Sequence, residues 1–174
     1  TVRKLLPETW GFLCCVHTPD GTPCGLLNHI CAAAKVESRP VSESVVKKIP
    51  SALARLGVSL SSSKQQGSLL LLARDTYLPV LLDGRVVGAV ARENADRVAR
   101  SLRLLKSAAT AVSTTKDLHL RVFRDIPATL EVALLPGGNR GGAFPGLYLF
   151  TDAARMIRPV QQIKTGRTEW IGPM

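Results

Sequence analysis

Turn-forming residues are concentrated in the first thirty positions of the chain, and this feature limits its fold more than any other. The residues that mark the turns are Pro7, Gly11, Pro19, Gly21, Pro23 and Gly25. The apolar stretches between them are too short for a helix or a hairpin. Because such a segment has no hydrogen-bonded ladder of its own, it must lie against a larger body. The sequence therefore predicts an irregular N-terminal segment that precedes a folded unit.

The rest of the chain is typical of a compact α+β unit with a mixed sheet and one or two helices. Leu78 to Leu82 and Arg85 to Ala91 are apolar runs joined by Asp83-Gly84, the strongest short signal for a hairpin turn. Further strands are predicted at Leu118 to Phe123, Thr129 to Leu135, Leu147 to Thr151 and Arg155 to Ile163. The glycine-rich stretch from Pro136 to Gly142 lacks the Lys-Ser/Thr ending of a phosphate-binding loop, so it is expected to connect two strands.

Helical signals occur in the middle of the chain. Val41 to Gly57 is predicted to be helical in two pieces, with Ser42 as a cap and Pro50 in the first turn of the second piece. The small polar residues from Val58 to Ser68 predict a loop. A longer helix is predicted from Asn94 to about Ala109. Its basic residues are expected on the solvated side, and they are Arg97, Arg100, Arg103 and Lys106.

The formal net charge of +10 indicates attraction to polyanions or to acidic protein surfaces. The same charge is equally compatible with a solvated surface that binds nothing. The longest apolar run, Leu69 to Ala73, is far shorter than a membrane span, so no membrane partner is expected.

The cysteines cluster near the N-terminus together with two histidines: Cys14, Cys15, His17, Cys24, His29 and Cys31. A structural zinc site usually needs paired ligands two to five residues apart, because a tight turn must direct both at one ion. The spacing here is irregular, so reduced and partly buried thiols are expected and no metal site. A zinc-binding module stays open as an alternative.

No catalytic arrangement is found in the sequence. The three histidines, His17, His29 and His119, have no Ser or Cys in a recognisable nucleophile elbow. The acidic residues are scattered without an Asp-x-Asp pair that could hold two metal ions. No catalytic residue is therefore predicted, and the chain alone is not expected to be active.

Two consecutive runs carry a resemblance to a known family. Arg3 to Cys14 reads RKLLPETWGFLC, and Val16 to His29 reads VHTPDGTPCGLLNH. This string resembles the fork region of the second-largest subunits of multisubunit RNA polymerases, in the form found in polymerase I. Cys15 departs from the family pattern, which usually has a proline there.

Two later runs extend the resemblance: Tyr77 to Gly88 and Tyr148 to Val160 are similar to the external domain of the same subunits. The resemblance implies that the chain is an internal piece of a much larger subunit. It also implies a division into part of the fork at 1–40, a helical and loop segment at 41–76 that is specific to polymerase I, and an external α+β domain at 77–174.

The resemblance further implies a function in the nucleus and nucleolus. The piece would help to form the active-centre cleft in which ribosomal RNA precursor is made on a DNA template. Its implied partners are the largest subunit, other polymerase I subunits, the DNA template and the DNA–RNA hybrid. No cofactor is expected in the piece itself, because the magnesium of the polymerase is bound mainly by the largest subunit.

Site residues are carried over from the resemblance onto matching positions. Those expected near nucleic acid or the active centre are Arg3, Lys4, Asp20 and Asn28, although Asp20 could also only stabilise its own turn. Those expected to shape the turn are Pro19, Gly21, Pro23 and Gly25. Arg155 and Arg158 are expected either to contact a neighbouring domain or subunit or to pair with an acid such as Asp152. The alternative function is a stand-alone basic RNA-binding or zinc-binding module.

Overall fold

The structure is a computed structural model that describes residues 2–61, 76–110, 126–137 and 144–174. A 3-10 turn covers Pro7–Thr9. The α-helices in these ranges are α1 (Glu43–Val46), α2 (Ile49–Arg55) and α3 (Arg92–Thr110). The strands are β1 (Lys35–Glu37), β2 (Ser59–Leu60), β3 (Tyr77–Leu82), β4 (Arg85–Ala91), β5 (Glu131–Leu135), β6 (Gly146–Phe150), β7 (Arg155–Gln161) and β8 (Thr168–Ile171). The predicted α+β class with a mixed sheet is confirmed.

Among the described residues, the larger sheet has five strands in the order β2-β4-β3-β6-β5, and only the β3–β6 pair of these is parallel. The predicted hairpin forms between β3 and β4. Asp83 and Gly84 at its turn have φ angles of 48° and 78°, the left-handed values that a tight two-residue turn requires. The Asp83 carboxylate also accepts hydrogen bonds from the main-chain N–H and the hydroxyl of Thr151, at 2.6 and 2.5 Å. The hairpin turn is thereby fixed to the end of β6.

One face of the five-stranded sheet packs on α2 and α3. Alternate residues of β3 are buried, as a period of two along a strand dictates. Leu53 of α2 and Leu102 of α3 are completely buried in the same core as Val80 and Leu149 of the sheet. This apolar core is the main source of stability, since each fully buried side chain of this size contributes roughly 1.5–3 kcal/mol.

The smaller sheet has three antiparallel strands in the order β1-β7-β8. β8 lies beside α3 and β5, so the smaller sheet borders the larger one at its β5 edge. β1 leads directly back to the N-terminal segment. The smaller sheet therefore connects that segment with the rest of the molecule.

Several predicted elements are confirmed with small shifts of their ends. α3 begins at Arg92, two residues before the predicted cap, and the strands predicted after residue 128 form as β5, β6 and β7. Ser42 precedes α1, but its hydroxyl lies 2.7 Å from that of Ser44 and does not cap the helix.

Three short strands were not expected from the sequence. Ser59–Leu60 lies within the predicted loop, yet it pairs with β4 at Gly88 and Ala89. Gly88 allows this pairing because a Cβ there would overlap the carbonyl oxygen of Ser59. β1 and β8 have only three and four residues, which is too few for an alternating pattern to be recognised.

The expected position of Lys106 is wrong. Its residue exposure is only 1%, whereas Arg100 and Arg103 on the same helix are exposed. The helix itself forms as its spacing predicts, but β8 of the smaller sheet covers the side of α3 that carries Lys106. A pattern within one helix cannot reveal a second layer that packs on it.

Some predictions lie outside the described residues, namely the strand at Leu118 to Phe123 with His119 and most of the glycine-rich connection after Gly137. The domain boundaries at residues 40 and 76 stay a prediction. Among the described helices, none is both long enough and apolar enough to cross a membrane.

Candidate nucleic-acid interface

The N-terminal segment, residues 2–34, is organised by main-chain hydrogen bonds between its two arms. The Cys14 N–H donates to the His29 carbonyl at 2.7 Å, and the Cys31 N–H donates to the Phe12 carbonyl at 2.9 Å. Between these two bonds the chain forms a loop, residues 15–28. The loop contains Asp20, Asn28 and all four residues predicted to shape the turn.

Arg3 supports this loop from outside. One terminal nitrogen of its guanidinium donates to the carbonyl oxygens of Thr22 and Cys24, each at 2.8 Å. The side chain stays exposed, so its positive charge remains available to solvent while two of its five donors hold the loop. The predicted contact of Arg3 with nucleic acid stays a prediction.

Two glycines bend the loop. Gly21 and Gly25 have φ angles of 80° and 74°, which L-residues with a side chain rarely adopt. A Cβ at Gly25 would lie 2.8 Å from the carbonyl oxygen of Arg3, whereas one at Gly21 would meet nothing within 4 Å. The Thr18 hydroxyl links both ends of the bend, accepting from the Gly25 N–H at 2.9 Å and donating to the Leu27 carbonyl at 3.0 Å.

The other predicted residues of the segment differ in exposure. Pro19 and Pro23 are half-buried within the loop, whereas Lys4, Asp20 and Asn28 are exposed. The structure thus brings Arg3 into contact with the loop that contains Asp20. Lys4 is the next residue in the sequence, and its side chain is exposed. The roles of these residues toward nucleic acid stay predictions.

The thiol of Cys14 accepts a hydrogen bond from the His17 N–H at 3.3 Å. This bond, together with a second one from Val16, lowers the pKa of Cys14 below its usual value. The rings of His17 and His29 stack with their centroids 3.6 Å apart and their planes 1° apart. All four cysteines are free thiols. Across the described residues, no three His, Cys, Asp or Glu side chains converge to hold a metal ion.

Phe12 anchors the segment to the smaller sheet. It is the only apolar side chain among described residues 2–34 that is fully buried, and the guanidinium carbon of Arg158 in β7 lies 5.2 Å from its ring centroid, within cation–π range. Gly11 permits this contact, because a Cβ there would lie 2.8 Å from Nε of Arg158. Phe12 is not predicted as an anchor from the sequence. An aromatic residue next to a glycine in a turn-rich segment was the available signal.

Arg155 pairs with a different acid from the one considered. Its guanidinium lies 3.3 Å from the Glu131 carboxylate in β5, and it contacts Asp152 only through the main-chain carbonyl, at 2.6 Å. The Arg155 guanidinium also donates to the Thr129 carbonyl oxygen at 3.3 Å. Asp152 is closer in sequence, but β5 and β7 bring Glu131 to the guanidinium from the neighbouring sheet.

Large apolar side chains of the segment are exposed. Trp10 is 66% and Val16 is 80% exposed. More than one third of the surface is also exposed at Val2, Leu5, Leu6, Leu26, Leu27 and Ile30. Single exposed apolar residues are normal on a protein surface, whereas many in one short segment mark a surface that another body covers.

Two family models match separate parts of the chain. The model described as RNA polymerase I, Rpa2 specific domain, matches residues 87–158. The model described as RNA polymerase Rpb2, domain 3, matches residues 1–36. The first range begins in β4 and ends in β7, and the second contains the N-terminal segment.

Curated relatives match the chain over its whole length. DNA-directed RNA polymerase I subunit RPA2 of Mus musculus is 45% identical over 174 residues, and that of Pongo abelii is 43% identical over 176 residues; each match covers 100% of this chain. The probable RPA2 subunit of Schizosaccharomyces pombe is 43% identical over 173 residues, or 99% of this chain. The chain spans 14% of the length of each of these relatives.

Proposed function

This chain belongs to the family of RNA polymerase I second-largest subunits, and on that premise we propose that it is a non-catalytic part of the wall of the active-centre cleft. Within the assembled enzyme it supports DNA-templated synthesis of the ribosomal RNA precursor, in the nucleolus of the nucleus. The chemical step, the joining of nucleoside triphosphates, belongs to the assembly. This chain contributes shape and charge.

The exposed apolar side chains of residues 2–34 carry the proposal. They lie in the range that matches domain 3 of the Rpb2 model, and Phe12 is the one apolar side chain of described residues 2–34 that is fully buried. A segment of this kind gains stability only when another surface covers it, since each buried Leu, Val or Ile contributes roughly 1.5–3 kcal/mol. We assign that surface to the largest subunit and to the other parts of the polymerase.

The loop of residues 15–28 is presented in one shape by Arg3, Thr18 and the glycine bends. The side chains of Arg3 and Lys4 are both exposed. Cations in this position bind phosphates of any sequence and release counterions, which suits a polymerase that must accept every template. Asp20 and Asn28 are exposed on the same loop, and we assign them to the neighbourhood of the DNA–RNA hybrid.

Magnesium, which nucleotidyl transfer requires, is assigned to the largest subunit. The described residues of this chain do not fit a magnesium site, because no three acidic or other ligating side chains converge. No step of the reaction is therefore derived through a metal held by this chain. When bound in the assembly, magnesium would stabilise the charge that develops on the transferring phosphate.

A crosslinking experiment in the assembled polymerase tests this function. A photoreactive amino acid replaces Lys4 in one variant and Asn28 in a second, and a third variant carries it at Lys47, an exposed lysine of α1. Elongation complexes are irradiated on a labelled DNA–RNA scaffold. We expect labelled crosslinks from positions 4 and 28 and none from position 47.

Crosslinks of equal yield from all three positions would contradict a specific interface. A purified chain that binds one zinc ion, with the ion lost in Cys24→Ser, would instead support the alternative of a stand-alone zinc module.

A further inference from the structure

The two sheets are joined by charged side chains. Lys106 of α3 extends its ammonium between the sheets, and its side chain is 2% exposed. It donates to the Leu130 carbonyl at 2.9 Å and to the Trp170 carbonyl at 2.7 Å, and it lies 3.2 Å from the Glu169 carboxylate. Glu169 and Trp170 belong to β8, so one lysine connects α3 and β5 with the smaller sheet.

A second buried pair reinforces this connection. The Glu131 carboxylate of β5 lies 3.3 Å from the guanidinium of Arg155 in β7 and accepts the Met174 N–H at 3.4 Å. Its carboxyl group also fills the space beside Gly172, where a Cβ would overlap it. Glu131 thus contacts both β7 of the smaller sheet and the C-terminal residues.

The apolar core does not extend across this boundary. Its buried members come from α2, α3 and the larger sheet or from residues adjoining them. Within the described part of the chain, β1, β7 and β8 contribute no side chain to it. Ile157 of β7 is buried outside this core. The smaller sheet is therefore attached outside the main apolar core, at a boundary that contains buried charges.

A buried ion pair contributes little net stability, but the removal of one partner is strongly destabilising. Removing two charges from water costs about as much as their attraction returns, so the net gain of the pair is small. Loss of one partner leaves the other charge buried without its main counter-charge, which strongly destabilises the contact. A boundary built in this way opens more easily than an apolar core and is very sensitive to single changes.

We propose that Lys106, Glu169, Glu131 and Arg155 form a polar joint through which the smaller sheet detaches from the larger one as a unit. The smaller sheet carries the N-terminal segment through β1 and through the contact of Arg158 with Phe12. The joint therefore sets the orientation of the N-terminal segment, which lies in the range matched by domain 3, relative to the larger sheet. The core of the larger sheet stays folded when the joint opens.

Native-state hydrogen exchange of the unmodified chain gives the first test. Amides of β7 and β8 are compared with amides of β3 and β4 in rising, sub-denaturing concentrations of urea. We expect β7 and β8 to exchange together through an opening with a smaller denaturant dependence than global unfolding. Exchange of both sheets through a single opening would overturn the proposal without any substitution.

Substitutions then test the joint directly. In Lys106→Met we expect the protection of β7 and β8 to fall roughly 100-fold, the equivalent of about 3 kcal/mol, while β3 and β4 change little. Lys47→Met is the matched control, because Lys47 also pairs with a glutamate, Glu43 at 2.8 Å, but on an exposed surface. Equal losses in both sheets, or a control as strong as the variant, would overturn the proposal.

A steric variant covers the case in which Lys106→Met fails to fold. Gly172→Ala leaves all four charges in place but forces the Glu131 carboxyl group away from its position. Trp170 reports the opening by fluorescence in a Trp10→Phe background, because the chain has only two tryptophans. We expect the urea midpoint from Trp170 to fall below that from far-ultraviolet circular dichroism. Coincident midpoints in Gly172→Ala would overturn the proposal.

Discussion

The body of the molecule, namely α1 to α3 with the larger sheet, differs from the N-terminal segment in the interactions that hold its shape. In the body, sixteen buried apolar residues of the described part of the chain pack into one core. In the segment, Phe12 is the single fully buried apolar side chain among the described residues, and shape comes from glycine bends and from hydrogen bonds to main-chain carbonyls. The body therefore has a source of stability of its own, whereas the segment has a defined form but depends on another surface for stability.

The largest expected effect comes from a core deletion. Leu149→Ala removes a completely buried side chain of β6, so we expect the free energy of unfolding to fall by about 2–5 kcal/mol. Leu27→Ala, at a 57% exposed position of the segment, is the control and should change it by less than about 0.5 kcal/mol. Urea denaturation followed by circular dichroism measures both. Similar losses would remove the distinction between body and segment.

A smaller and local effect is expected at the glycine bends. Gly25→Ala should speed amide exchange at Cys14 and Cys31, because a left-handed L-residue costs roughly 1–2 kcal/mol and the new Cβ also meets the Arg3 carbonyl. Gly21→Ala has the same backbone requirement but open space around it, so its effect should be smaller. Equal exchange rates in the two variants would show that the close approach to Arg3 is unimportant.

The pH dependence of stability should reveal Lys106. Burial lowers the pKa of Lys106 below its usual 10.5, and Glu169 opposes that effect. Between the lowered pKa and 10.5 the unfolded chain binds more protons than the folded chain, so the free energy of unfolding gains a contribution that rises with pH. Below the folded-state pKa this contribution is constant, because the lysine is protonated in both states.

The difference between the unmodified chain and Lys106→Met isolates this contribution, since other groups titrate in both proteins. Glu169, Glu131 and Arg103 are the charged neighbours of the ammonium, and none of them is altered. A difference that does not change between pH 8 and about pH 10.5 would contradict the lowered pKa.

The smallest effect is expected on the surface of the body. The pair of Lys47 and Glu43 is exposed at both ends, and exposed pairs one helical turn apart contribute about 0.3–0.5 kcal/mol. Lys47→Met should therefore shift the urea midpoint only slightly, and less still in high salt. A loss of more than about 1 kcal/mol would mean that α1 is less solvated than the structure indicates.

Local signals in the sequence predicted much of the body. Asp83-Gly84 located the hairpin because few residues tolerate two successive left-handed angles, and apolar spacing located α3. Short strands were missed because β1, β2 and β8 exist only through their pairing with β7 and β4. The segment was identified as irregular from its prolines and glycines, while its anchor at Phe12 was missed because Arg158 is almost 150 positions away.

The α+β class, the hairpin, α3, the irregular start and the polymerase I resemblance follow from the sequence, because each depends on neighbours along the chain. The positions of the charged side chains depend on how distant elements pack. Lys106 follows the same helical pattern as Arg100, yet one is buried and the other exposed, since a strand more than sixty residues later covers one side of α3. Arg3 likewise supports a loop some twenty residues away. Spacing within one element fixes which side chains share a face, and the packing of distant elements decides what that face meets.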